Sequence, residues 1–423
     1  MRAPALFGLI GALALLGGCH HSEDNKVIAA DVIGTSLDAP ADDALPLAPP
    51  AALVADATAT GLVRLDHDGQ VIPGAAARWA ILEDGLDYIF RIDSDAGVKA
   101  REIARRLKAA IRKRRDSTDH ALTDMIESIQ AVTGTVVEIR LSAPQPDLLT
   151  VLAKPDYGVG ASGAMQAQNR QATSVALRPA PGVEPRPRPV LLRAETAAGA
   201  VARFMKGDAD LVLGGTFDDL PAAHAATPKR ATLRFDPATG LFGLALHDTA
   251  GPAAAPALRH ALSLAIDRDR IVAAIGATGL AKATTLAGSM IEAPLADRRA
   301  EATRLVAGTH PAVKVALPNG PGGQLLFRML AEDWASVGIV ATAVAVDAPA
   351  DLVLIDLVTP PGSRHALACA ASAGCDPRDR LALIDPPYIP IAAPVRWSLV
   401  ARRLDRFVEN ELAAHPLDRL RAP

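Results

Sequence analysis

The sequence predicts an α/β protein divided into more than one unit, and three observations carry that prediction. The first is the stretch 241–274, LFGLALHDTAGPAAAPALRHALSLAIDRDRIVAA. It opens as an apolar run, Leu241 to Leu246, and passes through a Gly/Pro/Ala turn. It then places Leu258, Ala261, Leu262 and Ala265 on one side of a helix, and Asp267 as the N-cap of a second helix carrying Ile271, Val272 and Ile275. The second observation is that β-hairpin signals and helical periodicity alternate along the chain. The third is its length: 423 residues exceed what one compact core organises.

Composition narrows the function. Half of the residues are hydrophobic, enough for a sizeable core. With 44 basic against 47 acidic residues the net charge is -3, which gives no support for nucleic-acid binding or for adhesion to anionic lipid. Aromatic residues make up only 3%, with three Trp and three Tyr, so an aromatic-lined pocket has few residues to draw on.

In chain order, residues 1–18 read as a signal peptide. Arg2 provides the positive start, Ala5 to Leu16 is too short an apolar segment to remain as a membrane span, and Leu16-Gly17-Gly18 precede Cys19. Small residues before a cysteine resemble a bacterial lipobox, which implies cleavage before Cys19 and lipid on it; acyl chains contribute about 0.8 kcal/mol per buried CH2. Residues 19–25 then form a tether. Its His20-His21 pair lacks further ligands at structural metal spacing, so no metal site is expected.

Val27 to Ile33 predicts a strand, and Asp38 to Pro50, with four prolines, a loop. The turn signals Asp66-His67-Asp68-Gly69 and Glu83-Asp84-Gly85 predict hairpins. A helix over Ala100 to Arg112 ends in a basic run that suits the helix dipole. Val137, Ile139 and Leu141 alternate as in a half-buried strand, and Leu148 to Leu152 begins a helix that stops before Pro155. GVGASG at 158–163 is neither a nucleophile elbow nor a phosphate loop, because Ser162 is followed directly by Gly163 and no Gly-Lys-Ser/Thr comes after. Further on, 180–189 is a Pro-rich connection, Val190 to Leu192 a strand, and Gly207 a helix stop before a strand opened by Asp210. Ala300 to Val306 predicts a helix, Val313 to Leu317 a strand, and Gln324 to Val337 a helix with Leu325, Met329, Leu330 and Trp334 on one face; strands follow at Val340 and at Asp351 to Ile355.

These segments match a known pattern. Leu62, Val63, Leu65, Asp68, Gly69, Val71, Pro73, Gly74, Ala76, Trp79, Asp84, Gly85, Tyr88 and Phe90 resemble the early block of the family 5 extracellular solute-binding proteins, the dipeptide- and oligopeptide-type receptors of ABC importers. Arg259, Ala261, Leu262, Ala265, Ile266, Asp267, Arg268 and Ile271 resemble the opening of that family's second lobe, and His415, Pro416, Leu417 and Leu420 its terminal stretch. The resemblance implies a type II periplasmic-binding-protein fold with two lobes joined by a hinge. Lobe 1 would take residues 26–238 plus 394–423, with a β-rich subdomain at about 60–155; lobe 2 would take 239–393. It implies a periplasmic, lipid-anchored monomer that delivers a small-molecule or short-peptide ligand to an ABC importer permease by hinge closure, with no cofactor and no catalysis. The alternative is an envelope lipoprotein that keeps the fold, has lost ligand binding and serves a scaffold or partner-binding role.

The sequence departs from the family in one place that matters for ligand choice. Peptide receptors carry an aspartate shortly after the strand at 351–355; here Thr359-Pro360-Pro361 stand there, and a neutral loop does not offset the burial of a ligand ammonium. Asp356 is the nearest substitute, or else a strand-end turn residue. The remaining candidates for ligand contact are His247 and Asp248, where the chain crosses between lobes, and Tyr388, Arg396 and Trp397, where it returns. Arg396 and Trp397 either hold a ligand acid group or are a surface cation and a packed ring. Cys369 and Cys375 are expected to form a local disulfide, with a metal pair as the alternative.

Overall fold

The computed structural model describes residues 26–39, 46–113, 123–229, 231–376, 379, 381–382, 384–404 and 407–420. The signal segment, Cys19 and the tether lie outside the described residues, as does Arg114-Arg115 at the end of the basic run.

Two mixed sheets organise the chain. The first has seven strands in the order 165–171, 174–179, 190–195, 28–33, 211–216, 396–400, 233–235. Its central strand, Ile28–Ile33, lies parallel to Val190–Glu195 on one side and to Leu211–Thr216 on the other. Asp210 fixes that second register: its carboxylate accepts from the Ala29 N–H at 2.8 Å and pairs with Arg403. The second sheet has five strands, in the order 340–344, 312–316, 352–358, 240–246, 388–392. A separate four-stranded antiparallel sheet, built from 76–82, 87–92, 136–141 and 126–133, is covered by the Ala100–Lys113 helix. This is the mixed α/β architecture that the sequence predicts.

Local signals in the sequence explain most of the helices. Thr196 caps the Ala197–Lys206 helix by accepting from the Gly199 N–H, and Gly207 ends it at φ 84°, a conformation that costs glycine little. The Pro256–Ala265 helix buries Leu258, Ala261, Leu262 and Ala265, and Asp267 caps the next helix by accepting from Arg270 N at 3.0 Å. Two predicted boundaries move. A helix runs from Pro49 to Thr58, so the loop expected to reach Pro50 ends earlier; a proline pair at the first two helical positions is tolerated because those N–H groups have no intrahelical partner. The helix expected from Ala300 begins at Leu295, just after Pro294.

The chain passes between the two large sheets at two neighbouring places. It leaves the first sheet after Leu233–Phe235 and enters the second at Gly240–Leu246; it returns from Tyr388–Ala392 to Arg396–Val400. Both pairs of strands are joined within their own sheets, and Asp236 N–H donates to Arg396 O at 3.0 Å between the crossings. Trp397 anchors the return. Its ring is 1% exposed, its Nε1–H donates to Thr216 O at 2.8 Å, and Gly215 opposite it leaves room that any side chain would take from the ring. Trp397→Ala is therefore expected to destabilise the protein by about 3–5 kcal/mol, lowering the urea midpoint without changing the slope of the transition.

Candidate functional site

The paired crossings form one wall of a cavity of about 390 Å3, in the size range of small-ligand sites. Residues 235–242 and 392–396 line that wall, the loop 277–289 lines the opposite one, and Tyr388 and Arg364 project from beside it.

The loop is held in place by one buried cation. Arg268, 2% exposed, donates from Nε to Ala283 O and Pro390 O, both at 3.0 Å, and from its two terminal nitrogens to Ser263 O, Ser263 Oγ and Glu292. Burial pulls its pKa down to about 10 even with Glu292 beside it, so it stays charged at neutral pH. Backbone bonds from Ala283 N to Ile391 O and from Ala393 N to Ala281 O then lay the loop along the return crossing. Removing the guanidinium strands several carbonyls together, and Arg268→Met is expected to cost roughly 3–5 kcal/mol and to raise the hydrogen-exchange rates of residues 277–289.

Of the residues expected to contact ligand, Tyr388 and Arg396 line this cavity. Arg396 is already neutralised: Nη1 donates to Asp356 Oδ1 at 2.8 Å and to Val395 O, and Nη2 to Asp356 O at 3.1 Å. Asp356 thus answers Arg396. Burial raises its pKa while the guanidinium opposes the shift. The Tyr388 hydroxyl is buried and makes no hydrogen bond among the described residues; Gly243 leaves the space it occupies. Burial first, and the Asp356 carboxylate second, hold its pKa well above the ordinary tyrosine value, so it is present as a donor. Trp397 is packed in the core. His247 and Asp248 are exposed at the end of the 240–246 strand, and because that strand begins at the cavity they lie at its far end. Cys369 and Cys375 have their sulfurs 2.00 Å apart, a bonded pair, and do not border the cavity.

Two charged residues that sequence reasoning passed over also face cavities. Arg364 lines the cavity of the crossings; Nη1 donates to Leu286 O at 3.1 Å, Nε is buried without a partner, and among the described residues no carboxylate pairs with it. Asp56 lines a second cavity, of about 290 Å3, between the first sheet, Val358 and Pro360 at the end of the second sheet's central strand, and the terminal segment 412–416. Burial pushes its carboxyl up to about 6, with Arg64 lowering, Asp418 raising and Arg419 lowering that value. No motif marks either residue, although a lone acid in the apolar run AALVADATAT was a signal available for Asp56.

The sign of the Asp56 shift gives a pH dependence. The folded state holds this proton more tightly than the unfolded chain, so this group's contribution to stability is full below about pH 4 and is lost as pH rises through about 6. Asp56→Asn is expected to remove that component, so the variant's thermal midpoint at neutral pH lies at or above that of the parent protein.

Comparison with known proteins agrees with this architecture. Residues 184–352 match the model of the bacterial extracellular solute-binding proteins, family 5 middle. The fold is similar to that of Haemophilus influenzae OppA in complex with the peptide RPPGFSPFR, with a TM-score of 0.74 and 14% identity over 95% of this chain and 100% of that one. It is similar also to NikA from Brucella suis in complex with Fe(III)-EDTA, with a TM-score of 0.71 and 16% identity over 93% and 100%. A third similar structure is AgaA of A. tumefaciens R10 in complex with agropinic acid, with a TM-score of 0.70 and 15% identity over 94% and 98%. No curated protein matches the chain in sequence.

Proposed function

For a chain whose central segment, residues 184–352, belongs to the family 5 extracellular solute-binding proteins, we propose an extracytoplasmic receptor that closes over a small ligand and presents it to an ABC importer. The observation that carries this reading is the cavity at the paired crossings, faced by a guanidinium without a carboxylate partner and a hydroxyl without a hydrogen bond. Buried polar groups are normally satisfied, and a ligand acid group supplies what Arg364 and Tyr388 lack.

In this reading residues 26–238 plus 394–423 form one lobe and 239–393 the other, and closure bends the two crossings. Binding energy stabilises the closed state, and the importer recognises that state. The acid group of the ligand meets Arg364, because Arg396 is occupied by Asp356. The similar structures hold a peptide, a metal chelate and an opine acid, so the fold alone selects no ligand class. Lipid on Cys19 would hold the receptor at a membrane. The scaffold reading is favoured by one observation, the withdrawal of Arg396 and Trp397 into internal bonds.

Native mass spectrometry of the purified protein separates the two readings. The receptor reading expects a discrete bound mass that dissociates on activation, and its loss in Arg364→Met at unchanged thermal stability. An empty spectrum, with no thermal shift against peptides, small acids and metal chelates, would leave the scaffold reading.

A further inference from the structure

The second cavity has a chemistry of its own. Its walls are the carboxyl ends of two central strands, at Val32 and Gly214, one face of the Pro49–Thr58 helix, and Val358 and Pro360 from the other sheet. Almost everything it offers is apolar. The polar side chains in the wall are Thr150, Lys154, His415 and Asp56; Asp56 is the acid among them, and it has no hydrogen-bond or ion-pair partner among the described residues.

Its position makes this carboxylate costly to the protein. Asp56 sits in the last turn of its helix, where the backbone dipole presents negative charge, and that turn contains no basic residue. The two cations that act on it electrostatically both reach another carboxylate: Arg64 bonds Asp418 at 3.0 Å, and Arg419 approaches the same group at 3.6 Å. Lys154, in the same wall, has its own partner, and His415 bonds Asp236 at 3.1 Å. An unpaired carboxylate against an apolar cavity is unfavourable until a cation enters.

We propose that Asp56 is the anionic end of a subsite for a protonated amine or guanidinium carried on a short apolar body. The subsite supplies from the first sheet's side the carboxylate that Thr359-Pro360-Pro361 do not provide. It rests on the receptor reading, and it names the charge of one part of the ligand. The two cavities have a common neighbour. A third, of about 470 Å3, shares Pro237 and Thr239 with the first and Thr150, Pro360 and Leu412 with the second.

The probe is n-pentylamine, with n-pentanol and n-pentanoate as neutral and anionic controls of similar shape, titrated into the protein by calorimetry and ligand-observed NMR at mildly alkaline pH. The parent protein is expected to bind the amine about tenfold to a hundredfold more tightly than the alcohol, the equivalent of one charge-assisted hydrogen bond, and Asp56→Asn to erase that preference. Asp56→Asn keeps the shape of the side chain, and a cooperative melt with its midpoint at or above that of the parent excludes unfolding as the cause. Equal amine affinity in parent and variant, equal affinity for amine and alcohol, or no amine binding would each overturn the proposal. A protein that carries a native cargo yet fails these tests loses the subsite and keeps the receptor reading. An empty protein that prefers the amine through Asp56 keeps the subsite and loses the receptor reading.

Discussion

The structure depends on a constraint of connectivity: the chain passes between its two large sheets twice, and both passages lie side by side. Each crossing is short, 236–239 in one direction and 393–395 in the other, so neither has slack to wander from its neighbour. The crossings are fixed at their ends by groups that suffer if displaced. Trp397 is sealed in the core of the first sheet, and Asp356 and Arg396 neutralise each other where the second sheet begins. The terminal segment adds a third hold. Asp236, within the outgoing crossing, accepts from Asn410 N at 3.0 Å and bonds His415, whose ring stacks on Phe407 with centroids 4.4 Å apart.

The same constraint explains why the cavity stands where it does. A pair of strands that must leave one sheet and enter another cannot be covered by either sheet's own layer of helices, so a gap remains beside them. Arg268 closes the outer side of that gap by binding the loop carbonyl of Ala283 and the strand carbonyl of Pro390 with one guanidinium. Structural charge is thereby spent on shaping the cavity: Arg268 on its wall and Arg396 on its floor. Arg364 is the cation left over, and the difference between it and Arg396 is one carboxylate, Asp356.

How much of this could be read from the sequence follows from the range of the interactions. Caps and stops at Thr196, Gly207 and Asp267 act over three or four residues, so their residue types alone announce them. Strand runs and the apolar faces at 256–265 and 321–335 repeat with a period, and the period is visible. The helix at 49–58 was hidden because its proline pair reads as loop and its alanine-rich body has little contrast between faces. Site residues are harder to read, because a side chain's freedom depends on partners remote in sequence. Arg396 is withdrawn by a residue forty positions away, and Asp56 has no partner among the described residues while Arg64 bonds Asp418, 354 positions along the chain. Neither fact has a local signature.

Charge accounting across the cleft therefore says more about ligand than the family pattern does. In the pattern, one aspartate after the second sheet's strand identifies an amine-bearing ligand. Here that loop is neutral, and Thr359 is instead bonded to Thr239 of the crossing through both its N–H and its carbonyl. The unpaired charges have moved apart, a guanidinium beside the loop 277–289 and a carboxylate behind the terminal segment. The separation matters physically because, in the proposed receptor, a ligand that satisfied only one of these charges would leave the other desolvated on closure. If the lobes close as proposed, a ligand bearing both charges at the right spacing would remove both costs in the closed state and only part of them in the open one. That difference in affinity is what a binding protein needs to couple occupancy to closure.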